Sequence, residues 1–259
     1  MTRFLLDAEA LRGDQVTFPP EESRHLGRVL RLGPGDVVRA LDGAGQELTI
    51  RLTEIGPRRA TGVVLERSAL RTEPALRLTL AQALPKGDRL ETVIRMATEL
   101  GVHRIIPLLT ARTIAVPARS AAPGRVARWQ RVAREATKQC GRATVPEVAA
   151  PVALASWLAD RPARGLLVCF WEEKAGEPGD ALPPGPFDEV TAMVGPEGGL
   201  EAGEVEAARA AGAVVATMGP RVLRTDTAGV VAVTLLQARY GDLRDDHPGD
   251  RPGDRVTEQ

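Results

Sequence analysis

Two glycine-proline loops near the C-terminus gather the residue types best suited to chemistry in this chain. One reads Gly195-Pro196-Glu197-Gly198-Gly199-Leu200, the other Gly219-Pro220-Arg221-Val222-Leu223-Arg224-Thr225-Asp226-Thr227-Ala228. Each follows a short apolar run, at residues 191–194 and 213–217, and each precedes a helical pattern, at 201–211 and 226–240. Strand, loop and helix thus occur twice, with one helix joining the two strands. That order predicts parallel strands, with both loops at the same, carboxyl edge of a sheet. Glycines there let a ligand touch bare backbone. Neither loop has phosphate-cradle spacing, and Pro196 and Pro220 each remove an amide donor that a phosphate would use. Hydrogen bonds from backbone to a flat, uncharged base such as adenine stay open. Tight turns without a ligand are the competing reading. The loops also carry Glu197, Arg224 and Asp226; an acid beginning a helix can simply satisfy free amides.

The elements that position these loops follow from the pattern upstream. Residues 1–72 read as all-β, with strand-like runs at 36–42, 47–54 and 60–66. Asp42-Gly43-Ala44-Gly45 is hairpin-like, and Gly33-Pro34-Gly35-Asp36 and Gly56-Pro57 are further breaks. One helical insert, 21–32, places His25, Leu26, Val29 and Leu30 on one face. Short strands with one small helix predict a small barrel. From residue 73 strands and helices alternate: strand 76–83, helix 88–100 stopped by Gly101, strand 104–109, a long basic helix over 123–140, and strand 165–170. A Gly/Pro-rich loop at 172–185 then leads into the two loop units. This alternation predicts a parallel α/β sheet over 73–240. The tail, 241–259, repeats Pro-Gly-Asp-Arg and has no apolar periodicity, so it is expected to be disordered.

Composition bounds the class. The 259 residues are 43% hydrophobic and 26% charged, as in an ordinary soluble protein of one large or two small domains. No apolar run approaches the ~18 residues of a membrane span. The start, Met1-Thr2-Arg3-Phe4-Leu5-Leu6-Asp7, lacks the apolar core of a signal peptide. A cytoplasmic protein with no membrane partner is expected. Cys140 and Cys169 have no metal or redox spacing and read as reduced thiols. Three scattered histidines, His25, His103 and His247, argue against a multi-histidine metal site, so no metal is expected. Formal net charge is zero, yet residues 104–142 hold nine cations and one acid, Glu135. Such asymmetry suits an RNA-phosphate face. A solvated helix is the alternative in a chain whose 34 cations include only three lysines.

Five ordered motifs closely resemble the RsmE family, methyltransferases acting on uracil N3 of 16S ribosomal RNA. The two glycine loops are the most specific. His25-Leu26 with Val29-Leu30-Arg31 resembles the family's N-terminal signature. Lys86-Gly87-Asp88 with Ala97-Thr98-Glu99-Leu100-Gly101-Val102 resembles the opening of its catalytic domain. Glu135-Ala136, Gln139-Cys140-Gly141-Arg142 and Val145-Pro146 resemble its middle signature. The likeness covers residues 3 to about 240. Asp226 departs from the usual Glu and shortens that carboxylate by a methylene. Lys138 stands where Glu is common and adds positive charge. The resemblance implies a PUA-like, RNA-binding β-barrel in 1–72 and a SPOUT methyltransferase domain in 73–240. It implies a C-terminal trefoil knot, a departure from ordinary chain-path rules that periodicity cannot predict. It also implies S-adenosylmethionine held by the knot loops, a substrate in 16S ribosomal RNA of the small ribosomal subunit, and a homodimer with sites near the interface. Residues 228–236, apolar nearly all round, fit a helix covered on several sides.

Site residues follow from the same resemblance. The cofactor candidates are Met193, Gly195, Pro196, Gly199, Met218, Gly219, Leu223 and Thr225. Core packing is the plain alternative for each methionine, and helix capping for Thr225. Uracil N3 is a poor nucleophile until its proton leaves. Glu197 and Asp226 are therefore candidate proton acceptors, and Arg224 a stabiliser of charge on the base. A third option is water acting as base in an arginine-rich site. RNA-contact candidates are Arg3, Arg28 and Arg31 on the barrel and Arg128, Arg131, Arg134 and Arg142 on the basic helix. A ribose 2′-O-methyltransferase of another SPOUT branch and a non-enzymatic RNA-binding assembly protein stay open.

Overall fold

The computed structural model describes residues 3–6, 8–70, 72–114, 122–162, 164–172 and 182–243. Chain contacts divide it into two units, residues 1–73 with 128–147 and residues 74–127 with 148–259. The tail beyond residue 243 and Arg119 of the basic stretch lie outside the described residues.

The first unit is built on a six-stranded sheet. Its strands are β1 (Arg3–Leu5), β2 (Leu11–Arg12), β3 (Gln15–Phe18), β4 (Val37–Leu41), β5 (Gln46–Ile55) and β6 (Ala60–Ala69), in the order β1-β4-β5-β6-β3-β2. β1 pairs parallel with β4, and the other pairs are antiparallel. Alternating residues of β4 to β6 send Val38, Leu48, Ile50 and Val64 into one core with Phe4, Phe18 and Leu26. The sequence pattern missed β1 to β3 because each spans four residues or fewer, too short for period-2 alternation to register.

The expected helix over 21–32 is two pieces. α1 (Pro20–Arg24) passes into a π turn, His25–Val29, closed by Leu30 N–H donating to His25 O at 3.0 Å. Arg31 then takes φ +54°, a left-handed conformation that non-glycine residues rarely adopt. π turns and left-handed residues both concentrate at functional sites.

Helix α3 (Ala122–Cys140) is the basic helix, and its residues from 128 onward belong to the first unit rather than to the α/β region that follows residue 72. Trp129, Ala133 and Ala136 are buried on its inner face. Lys138 donates to Glu22 at 2.7 Å and to Glu135 at 3.4 Å, so the added cation is neutralised and leaves no free charge. Just past the helix, Arg142 is 5% exposed and donates to Glu73 at 2.7 Å. Glu73 also accepts from Ala143 N–H at 2.8 Å and Thr144 N–H at 3.0 Å. Burial by itself would raise the Glu73 carboxyl pKa. The hydrogen bonds and charge of Arg142, with the Thr144 amide, outweigh it and hold the group below its usual value.

The second unit is a parallel sheet flanked by helices. It comprises β7 (Arg77–Ala83), α2 (Arg89–Glu99), β8 (Arg104–Leu109), β9 (Glu147–Val148), β10 (Val152–Ala153), α4 (Leu154–Asp160), β11 (Leu166–Phe170), β12 (Glu189–Val194), α5 (Ala202–Ala210), β13 (Ala213–Ala216) and α6 (Thr225–Tyr240). Strand order is β10-β8-β7-β12-β11-β13, with β9 beside β8. β12 and β13 are both parallel to β11, which lies between them, so the α5 crossover skips one strand. The buried strands read as continuous apolar runs, as parallel strands covered on both faces do. α6 packs on α2, β7 and β12. Among the described residues no helix is long and apolar enough to cross a membrane.

Candidate functional site

Parallelism brings the ends of β11, β12 and β13 to one edge of the sheet, and three connecting segments meet there. After β12 the chain turns at Gly195–Leu200; Gly199 N–H donates to Pro196 O at 3.0 Å. Gly199 has φ +71°, a left-handed conformation that strains any larger residue, and a Cβ built on it would also displace the Glu172 carboxylate. Glu201 then caps α5 through a reciprocal box with Glu204, which starts the helix immediately after the loop. After β13 the second loop passes through Gly219 at φ +106° into α6. The third segment, Trp171-Glu172, leaves β11 with Trp171 N–H bonded to Ala216 O at 3.0 Å.

One side chain joins the two glycine loops. Thr225 Oγ donates to Gly195 O at 2.7 Å, and the Gln82 side-chain amide donates to Thr225 Oγ at 2.9 Å. Gln82 and Thr225 are buried, Gln82 completely. The first residue of α6 is thereby fastened both to the end of β12 and to β7. A polar Gln inside the apolar run Leu78–Leu84 is the sequence signal for this link, but nothing in the sequence identifies its partner 143 residues away.

The three segments enclose a cavity. Every cofactor candidate except Met193 lines it. Met193 is instead wholly buried in the core with Cys169, Ala81 and Val215. Alternation along β12 turns its side chain away from the loop, so packing is its role. Cys169 sits in the same core, where burial pushes its thiol up to about 12, leaving it protonated and unreactive. The sequence reading missed several residues of the wall, among them Trp171, Glu172 and Arg221. The indole N–H of Trp171 is buried without a hydrogen-bond partner among the described residues. Apolar and glycine surfaces beside polar side chains suit an adenosine-like ligand.

The proposed chemical residues are placed unequally. Glu197 lines the cavity, but its Oε1 accepts from Lys86 N–H at 3.0 Å and from Arg89 at 3.3 Å. It ties the loop before α2 to the Gly195 loop. Arg112 secures the other side by donating to Gly198 O at 2.6 Å. Arg224 is exposed at the N-cap of α6, beside the wall residues Leu223 and Thr225 but not itself in the wall. Asp226, in the first turn of α6, has one buried carboxylate oxygen without a partner among the described residues.

Of the RNA candidates, Arg28 and Arg31 are exposed on the first unit, as are Arg128 and Arg131 on α3. Arg134 is half-buried. Arg3 lies in β1, and its side chain is outside the described residues. Arg142 is corrected: buried and paired with Glu73, it is a structural cation and presents nothing to RNA.

Comparison with known proteins places these features in context. A family model described as an RNA methyltransferase domain matches residues 58–237, and one described as an RNA methyltransferase PUA domain matches residues 18–65. The chain is 34% identical over 239 residues to the ribosomal RNA small subunit methyltransferase E of Synechocystis sp., covering 91% of this chain and 77% of that protein. It is 32% identical over 234 residues to the Bacillus subtilis protein of the same name, covering 87% and 91%. A crystal structure of a ribosomal RNA small subunit methyltransferase E from Neisseria gonorrhoeae, bound to S-adenosyl methionine, superposes with a TM-score of 0.84 at 34% identity, covering 94% of this chain and 100% of that one.

Proposed function

The chain belongs to the ribosomal RNA small subunit methyltransferase E family, and we propose that it methylates N3 of one uracil in 16S ribosomal RNA of the small ribosomal subunit, using S-adenosylmethionine. The observation that carries this is the bond from Thr225 Oγ to Gly195 O at 2.7 Å, which closes two glycine loops around one cavity at the sheet's carboxyl edge. When bound, S-adenosylmethionine supplies a methyl group on a sulfonium sulfur, which becomes a neutral thioether as N3 gains the methyl and loses its proton. Gly195, Pro196, Gly199, Met218, Gly219, Leu223 and Thr225 form its binding surface. Arg224, exposed next to that wall, favours the anionic uracil. Asp226 is the proton acceptor, because one of its oxygens has no partner among the described residues while Oε1 of Glu197 is engaged twice. Glu197 is a positioning residue. Mass spectrometry of nucleosides from RNA treated with the protein tests the reaction. 3-Methyluridine is the expected product, and a 2′-O-methylnucleoside would assign the chain to the ribose-modifying branch.

The remaining architecture belongs to the same reading. Residues 1–72 form a PUA-like barrel built on the six-stranded sheet and bind RNA through Arg28 and Arg31. Residues 73–240 form a SPOUT domain with a trefoil knot. Strand order supports the knot: after β13 at the sheet edge the chain returns to lay α6 on β7 and β12. A homodimer is supported by the apolar character of α6 and by Met96 and Leu235, 40% and 36% exposed on the packed helices α2 and α6. The ribosomal substrate places the work in the cytoplasm.

A further inference from the structure

Two charged side chains face the cofactor cavity without a partner among the described residues: the carboxylate of Glu172 and the guanidinium of Arg221. The other charged residue of the wall, Glu197, already has Arg89 and the Lys86 amide. Glu172 is placed by structure, since the preceding amide, Trp171 N–H, is bonded to Ala216 O at 3.0 Å and its carboxylate rests where a Gly199 side chain would otherwise be. Arg221 follows Pro220 in the loop between β13 and α6. Both side chains are exposed and reachable from solvent, and no ion pair joins them.

A cavity presenting one free anion and one free cation matches a ligand end that carries both signs close together. An α-amino acid group is such an end, with an ammonium and a carboxylate on one carbon. S-Adenosylmethionine combines that end with a flat, uncharged adenosine. We propose that Glu172 and Arg221 recognise the amino-acid end of the cofactor, Glu172 accepting hydrogen bonds from the ammonium and Arg221 donating to the carboxylate. This rests on the methyltransferase reading of the same cavity. Arg224, outside the wall, is left for the RNA base, so the loop divides its two arginines between cofactor and substrate. Charge-assisted hydrogen bonds are about twice as strong as neutral ones, and a planar guanidinium suits a carboxylate.

Calorimetry on the full chain tests this with two ligands: S-adenosylhomocysteine, which has the amino-acid end, and 5′-methylthioadenosine, which lacks it. Glu172→Gln and Arg221→Gln should each weaken S-adenosylhomocysteine by about tenfold or more and leave 5′-methylthioadenosine unchanged. Arg221→Gln should also leave decarboxylated S-adenosylmethionine unaffected, because that ligand has no carboxylate to lose. In the unmodified chain, added salt should weaken S-adenosylhomocysteine more than 5′-methylthioadenosine, a comparison that needs no variant to fold. Wild-type affinity for S-adenosylhomocysteine in both variants, or equal loss of both ligands, overturns the assignment. If the unmodified chain binds neither ligand, the methyltransferase reading itself fails, an outcome distinct from a binding chain whose variants discriminate nothing.

Discussion

Gly199 shows how one residue can hold a site open. Its left-handed φ disfavours any side chain, and a Cβ there would displace the Glu172 carboxylate beside it. Gly199→Val should therefore weaken S-adenosylmethionine binding at least ~tenfold, as should Gly219→Val through its φ of +106°. Wild-type affinity in a folded variant, read by calorimetry, would remove that loop from the cofactor site. The two carboxylates should separate. Asp226→Asn removes the proposed proton acceptor and should lower turnover ~100-fold or more with cofactor affinity kept. Glu197→Gln loosens the bonds to Lys86 and Arg89 and should act mainly on melting temperature and cofactor affinity. Intact turnover in both variants would leave water as the base. At this scale the glycines were legible, because backbone conformation restricts residue type directly. Arg142 was not: its burial depends on Glu73, 69 positions away.

At the scale of elements, α3 and the turn after it put arginines to different uses. Arg128 and Arg131 are exposed, whereas Arg142 beyond its end is locked to Glu73. Glutamine at 128, 131 and 134 together should flatten the dependence of RNA affinity on salt, each lost phosphate contact removing about 0.7 to 0.9 from the log-log slope. Glutamine at Arg28 and Arg31 should do likewise through the π turn. Arg142→Gln should leave the slope alone and cost about 3 kcal/mol of stability by stranding Glu73. Unchanged slopes in the first two sets, measured by filter binding, would move the RNA to another surface. Glu73 also predicts a pH dependence. Its folded pKa is lowered, so its contribution is present above the unfolded value, about 4.3, and is lost as pH falls through the folded value. Glu73→Gln should melt below wild type at pH 7, with the gap narrowing in acid. A gap independent of pH would mean the pair contributes through packing alone.

For the whole molecule, the proposal is a dimer whose buried face includes α6. Leu235→Glu should yield a monomer by analytical ultracentrifugation and weaken cofactor binding along with it, because α6 begins at the Thr225 link and carries that loop. A variant that stays dimeric would place the interface elsewhere.

Period, punctuation and motif order are local properties, and the sequence by itself determined what depends on them. The parallel α/β region with its helices α2, α5 and α6, the basic helix α3 and the two loops at one edge were legible from apolar runs broken by Gly and Pro. Five motifs in order identified the family. What required tertiary structure was everything set by contacts distant along the chain. The skipped strand β11 between β12 and β13, and the transfer of residues 128–147 to the first unit, leave no periodic trace. The pairing of Lys138 with Glu22 turned an apparent extra charge into a neutral contact. Met193 went to the core while Trp171, Glu172 and Arg221 entered the wall, because the direction of a side chain is decided by strand register and by the neighbour it meets. Sequence order alone carries neither.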